Sequence, residues 1–220
     1  VDKRGHQGVV VEAEGLFWDL LAVVFSRKGA LALLVCAVPI ATGSAGNLWG
    51  AVADDWHATA DTVALVNGAL FGIVAPLGSI AGGWICDRFD RTSSYCLFAF
   101  VQLLIATALA YSPRTSPHFV LWTTLYAVTQ GLDIAAFSAL VLEVIGRTSA
   151  ATKSSLLASL IAQPVAFMTY LEGVAHQSWG TQGMLLTEAA VAMAGLATYL
   201  AIMVLTRPRR SAAPLARAPG

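Results

Sequence analysis

The amino-acid sequence predicts an all-α membrane protein, a six-transmembrane-helix bundle. Three observations predict it: too little charge for a water-covered globule, six apolar runs of spanning length, and basic residues crowded onto one side. Of 220 residues, 57% are hydrophobic and 12% charged, against about 25% charged in an ordinary soluble domain. Mean hydropathy is +0.69. The formal net charge is zero, so no overall basic balance points to nucleic acid.

A spanning helix needs roughly 20 mainly apolar residues. The first run, Gly29 to Gly50, follows Arg27-Lys28 and ends before Asp54-Asp55-Trp56-His57. The second, Thr62 to Cys86, carries Gly68, Gly72, Gly78, Gly82 and Gly83, glycines that let helices approach closely. The third, Ser93 to Tyr111, stops at Ser112 to Pro117. The fourth, Phe119 to Ile145, stops at Gly146 to Lys153. The fifth, Leu156 to Ala175, is interrupted by Gln163-Pro164 and ends in His176 to Gln182. The sixth is Met184 to Thr206. Backbone at bilayer depth must satisfy its own hydrogen bonds, so these runs are helices; strands of a barrel would alternate, and these are apolar all round.

Lys3, Arg4, Arg27, Lys28, Arg88, Arg91, Arg147, Lys153, Arg207, Arg209, Arg210 and Arg217 fall on one side of an even-span chain; Arg114 alone falls opposite, with Asp54, Asp55 and Asp61. The positive-inside rule then places both termini in the cytoplasm. Trp18, Trp49, Trp56, Trp84, Trp122 and Trp179 lie near span ends, where headgroup-level tryptophan is expected. Three parts follow. Residues 1–28 form a cytoplasmic N-terminal segment with an amphipathic helix over Glu14 to Arg27, residues 29–206 the bundle, and residues 207–220 a disordered cytoplasmic tail. The opening residue is Val1, no signal peptide pattern follows, and the expectation is a piece of a longer chain. Cys36, Cys86 and Cys96 form no CxxC and are expected as reduced, structural thiols.

The most specific motif is Gly82-Gly83-Trp84-Ile85-Cys86-Asp87-Arg88-Phe89-Asp90-Arg91, at the turn between the second and third spans. It resembles the G-x-x-x-D-R-x-G-R-[RK] loop of the major facilitator superfamily, with Gly83, Asp87, Arg88 and Arg91 on the motif positions. Asp90 stands where the motif has its later glycine, and Thr92 where it has its final basic residue. The resemblance implies one half of a major facilitator-type fold, the C-terminal six-helix half, with its partner half or a second copy of itself completing a central cavity. The segments Leu132 to Leu140 and Ala151 to Ser159 are similar to those of the muropeptide-permease and acetyl-CoA-transporter branch.

Charge at mid-bilayer costs at least ~2.5–3.5 kcal/mol by insertion scales, so intramembrane acids need a reason. Asp133 lies near the middle of the fourth span, with Gln130 on the same face. It is either a protonatable or substrate-facing carboxylate or an interhelical hydrogen-bonding group. Glu172 and Glu188 share a depth if the last two spans form a hairpin; a shared proton competes with two interfacial carboxylates reaching water, and the latter is favoured. Asn47 and Asn67 are substrate-bonding candidates or interhelical glue. Pro164 is a gating or static kink. His57, His118 and His176 fall one to each outer loop and are read as solvated. No catalytic residue, metal site or cofactor is expected.

These readings converge on secondary active transport of a small solute by alternating access, with proton coupling, in a bilayer that the Ala-rich composition suggests is a bacterial inner membrane. Two alternatives stand beside it: a non-transporting membrane sensor or assembly subunit, and an intramembrane enzyme.

Overall fold

The computed structural model describes residues 38–145 and 150–205. The amphipathic segment, Trp18, Cys36, the loop around Arg147 and the C-terminal tail lie outside the described residues. Every regular element among those described is helical. Four long helices carry the fold: α1 (Ala60–Cys86), α2 (Arg91–Tyr111), α3 (Ser116–Ile145) and α4 (Ala150–Leu205). All four contain stretches long and apolar enough to cross a membrane. The lateral surface agrees: Ile73, Leu77, Ile80 and Trp84 on α1 are all well exposed, a face that lipid rather than water would cover.

The first apolar run departs from expectation. It is not a continuous helix where described. Val38 to Gly43 is irregular, Gly43 has φ 63°, and a 3-10 turn over Ser44–Leu48 leads through Trp49–Val52 into Ala53–Trp56. The chain then turns at His57, also at positive φ, and Thr59 caps α1 by accepting from the Thr62 amide.

The fifth and sixth runs are joined in α4, which leaves helical geometry at Gly180 (φ 68°, ψ −171°). The two arms fold back on one another. Glu172 bonds the Ser44 hydroxyl and Glu188 the Ala45 amide. In a straight helix those glutamates would stand ~24 Å apart, whereas adjacent residues such as Ser44 and Ala45 are ~3.8 Å apart. Thr181, just past the turn, donates to the Asp55 carboxylate, tying the hairpin to the first loop. Pro164 lies inside the first arm with helical dihedrals, and the break at Gly180 falls within the expected interruption His176 to Gln182. Proline's fixed φ is already helical and costs one hydrogen bond, whereas positive φ suits glycine.

Two apolar cores sit at different heights. One joins Trp49, Val52 and Trp56 to Leu109, Phe119, Tyr126 and the Met184-Leu185 pair. The other joins Ile40, Cys86, Tyr95, Phe98, Ala136 and Tyr199. Trp49 and Trp56 are therefore core residues, 4% and 0% exposed, not headgroup anchors. Trp49 meets Tyr126 edge-on at 5.2 Å, and the Arg114 guanidinium lies 3.9 Å above the Trp56 ring. Trp84 and Trp179 remain exposed near helix ends, as expected of interfacial tryptophan.

The tightest helix contact is between α1 and α3. A β-carbon on Gly131 would stand 2.1 Å from the Ala75 carbonyl oxygen, and one on Gly78 would stand 2.4 Å from that of Val128. Backbones touch here, and the Ser79 hydroxyl donates to the Gly131 carbonyl at 3.0 Å. Such small-residue seams replace the hydrophobic drive that lipid removes. Gly83, by contrast, faces open space. Gly131→Ala should cost about 1–3 kcal/mol through overpacking, read as a lower thermal midpoint in detergent; Gly83→Ala should leave the midpoint unchanged or raise it.

Candidate functional site

Between the two cores lies a polar layer, to which α2, α3 and both arms of α4 contribute. Gln102 sits halfway along α2 and Gln130 and Asp133 halfway along α3. Glu172 and Glu188 each lie eight residues from Gly180 in α4, ~12 Å from the turn. The irregular Thr42-Gly43-Ser44 stretch crosses at the same level. Asp133, Glu172 and Glu188 are 3%, 0% and 5% exposed. The two glutamates are thus buried neighbours, not interfacial carboxylates reaching water; the hairpin and the overlying Trp49 core remove them from solvent.

Gly43 is the hub. Its positive φ precedes the 3-10 turn over Ser44–Leu48; its carbonyl accepts from the Gly46 amide at 3.2 Å, while its own amide points away from that turn and needs a side-chain partner. With the Gln102 amide assigned the orientation that satisfies both neighbours, its Oε1 accepts from the Gly43 amide at 3.2 Å and its Nε2 donates to Asp133 Oδ2 at 2.6 Å. Gln130 Nε2 donates to the Gly43 carbonyl at 3.5 Å. A side chain at Gly43 would collide with Gln130. One residue on, the Ser44 hydroxyl donates to Glu172, and the Ala45 amide meets Glu188. The Tyr126 hydroxyl donates to the other glutamate of the pair, Glu188, and Gln102 lies beside both.

Most other hydroxyls in the spans do not belong to this network. Thr107, Thr123, Thr129, Thr169, Thr187, Thr198 and Ser138 return their protons to carbonyls one turn back. Asp133 Oδ1, Gln130 Oε1, Glu172 Oε2 and Glu188 Oε2 are buried with no partner among the described residues. The partners the three carboxyls do have are hydroxyls and amides. A buried carboxylate without a cation is costly, so the layer is poised to take up positive charge.

Beside it is a cavity of about 330 Å³, lined by Asn47, Gln130, Asp133 and Pro164 among apolar side chains such as Ile134 and Phe137. The structure therefore brings together Asn47, Gln130, Asp133 and Pro164 at one cavity, with Glu172 and Glu188 in the adjoining layer. Asn47 Nδ2 donates to Thr169 Oγ1 at 3.1 Å, bridging to α4. Asn67 is not brought in: it lies on the exposed side of a π-helical stretch, Leu65–Leu70, within α1. Gln102, Tyr126 and Ser44 were not singled out from sequence. A lone glutamine at the centre of an apolar run was the available signal for Gln102.

The motif turn is closed by a cap. Asp90 precedes α2 and accepts from both the Ser93 amide and the Ser93 hydroxyl at 2.9 Å. The acidic residue at the motif's glycine position thus does its own work, and D-x-x-S was its signature. Arg88 lies 3.7 Å over the Trp84 ring. Arg91 donates to the Ala139 carbonyl at 3.3 Å, linking the turn to α3. Asp87 ends α1 and is exposed, and the glycine packed against α3 is Gly82 rather than Gly83. His118 bonds Thr115 and His176 faces Thr181, so each of these histidines contacts its own loop. Cys86 and Cys96 are free thiols.

No family model, curated protein or solved structure matches this chain.

Gln102→Leu leaves Asp133 Oδ2 and the Gly43 amide without their shared partner. Each lost bond costs about 1–3 kcal/mol, so the variant should unfold at clearly lower temperature. Gln102→Glu keeps the shape but adds a fourth acid, and should be worse still at high pH than at low pH.

Proposed function

We propose that this chain is the C-terminal half of a secondary transporter of the major facilitator type. In this reading it carries a small solute by alternating access, with proton coupling, across a bacterial inner membrane. Both termini are cytoplasmic, and the partner is a further six-helix half or a second copy.

One observation carries the reading. The cavity lies against a stretch of the first apolar run, Val38 to Gly43, that is irregular rather than helical. Irregular backbone at membrane depth persists only where it is buried in protein or lines a cavity, and interrupted helices are where transporters bind substrates and ions. Three buried acids in one membrane layer are costly, and such residues mark substrate, ion or proton pathways. Asp133 is the coupling carboxyl in this scheme because it forms part of the cavity wall and its Oδ1 has no partner among the described residues. The Asp87 to Arg91 turn steadies one of two arrangements through Arg91 and the α3 carbonyl.

The coding sequence upstream of Val1 provides a direct check. A further six apolar runs with a similar Gly-Asp-Arg turn are expected; a start codon at this point would favour the sensor or assembly reading instead. In proteoliposomes, the complete gene product should accumulate solute when the outside is acid. Asp133→Asn should abolish the pH dependence of uptake. Unchanged, still pH-driven uptake would remove Asp133 from the mechanism.

A further inference from the structure

Two of the three buried acids are sealed away from the cavity. Glu172 and Glu188 are 0% and 5% exposed, and neither belongs to the cavity wall. The two carboxyls interact electrostatically with each other. The groups that face them are the Ser44 hydroxyl and Ala45 amide from the first run, Gln102 from α2 and the Tyr126 hydroxyl from α3. Asp133 is the further acid of the layer, on the other side of Gln102. The arginines among the described residues stand at helix ends, Arg88 on Trp84, Arg91 on the Ala139 carbonyl and Arg114 on Trp56. Two buried carboxylates side by side without a cation are costly, and one proton between them relieves that cost. Such a proton needs a way in, and hydroxyls supply one. Thr42 forms part of the cavity wall. Its hydroxyl lies 2.9 Å from that of Ser44, which bonds Glu172. Thr42 also borders a void of about 10 Å³ that reaches Gln102 and Glu188, room for roughly one water. A hydroxyl can accept one proton while releasing another. The Gln102 amide, which joins Asp133 to the layer, cannot do so without changing tautomer.

We propose that Thr42 and Ser44 form a hydroxyl relay between the cavity and the Glu172–Glu188 pair, and that the pair holds one exchangeable proton. For uptake, Ser44 passes its proton to a Glu172 carboxylate and takes the proton of Thr42. Thr42 is reprotonated by hydronium in the cavity, which leaves as water. One proton has moved, both hydroxyls are intact, and rotation about their C–O bonds resets them. Release runs the same steps backwards. The cavity can supply the hydronium: Asn47 and Ser138 in its wall are exposed, and its volume is about 330 Å³, where one water occupies ~30 Å³. Coupling of this proton to solute movement rests on the function proposed above; the relay itself does not.

The test is infrared spectroscopy of the complete gene product in detergent at pH 7. A protonated carboxyl has a C=O band apart from the carboxylate bands, and the band moves in D2O. Glu172→Gln and Glu188→Gln should each remove or shift one such band, while Asp133→Asn identifies any band of its own. On rapid mixing into D2O the glutamate band should move within the mixing time. Thr42→Val keeps the side-chain shape and loses the hydroxyl, and should slow that movement by about tenfold or more. Thr42→Ser should restore the parent rate. Ser44→Ala breaks the relay at its second member and serves if Thr42→Val does not fold. A spectrum untouched by both glutamate substitutions, or parent-rate exchange once either hydroxyl is gone, would overturn the proposal. No solute enters this measurement, which separates the two ideas. Absent uptake in proteoliposomes with relayed exchange intact sinks transport alone; parent-rate exchange in Thr42→Val sinks this inference alone.

Discussion

A peptide unit that leaves helical geometry inside an apolar layer must find its hydrogen bonds within the protein, because no water is there to supply them. At Gly43 that requirement organises the whole interior. Its N–H draws in Gln102, and its C=O, paired with the Gly46 amide, accepts also from Gln130. Gln102 in turn fixes one oxygen of Asp133, and the next two residues of the break fix Glu172 and Glu188. Elements α2, α3 and both arms of α4 therefore converge on three consecutive residues of an irregular strand of chain. The polar layer is the consequence of that break, and the cavity is the space the break leaves beside α3.

The remaining architecture keeps that layer dry and rigid. An apolar core lies on either side of it, one built on Trp49, Trp56 and Phe119, the other on Tyr95, Phe98 and Tyr199. Elements α1 and α3 are locked by backbone contact at Gly78 and Gly131, so α3 presents Gln130 and Asp133 from a fixed base. The α4 hairpin is held at its tip by Thr181 on Asp55 and at mid-height by the two glutamates. The same helix thus closes one end of the bundle and completes the polar layer.

Much of this was legible in the sequence. Composition and run length sufficed for an all-helical membrane chain, since the bilayer allows few alternatives to a helix. The glycine-rich second run correctly announced a close helix contact, although only Gly78 and Gly82 of that run meet α3. Asp133 and Gln130 were readable because polar residues at the centre of a span are expensive and share a face at three-residue spacing. The first run was misread as a plain helix. Its hydropathy is that of a span, and nothing local distinguishes Gly43, which bends, from glycines that do not. Position along a run suggests headgroup anchors at Trp49 and Trp56, which are core residues instead, because it says how deep a residue is and not whether it faces lipid or protein.

By itself, then, the sequence determined the solvent and the local geometry: apolar helices for a bilayer, a tight Asp-Arg turn between two of them, and acids placed too deep to be idle. Those follow from short-range rules, hydrophobic length and hydrogen-bond self-sufficiency. Only the tertiary structure decided that Glu172 and Glu188 are buried neighbours, that Gln102 joins Gly43 to Asp133, and that a cavity stands beside them. Each of those depends on groups between 16 and 128 residues apart in the chain meeting at one height. That meeting is set by how helices pack and where glycine lets the backbone turn, which no local pattern encodes.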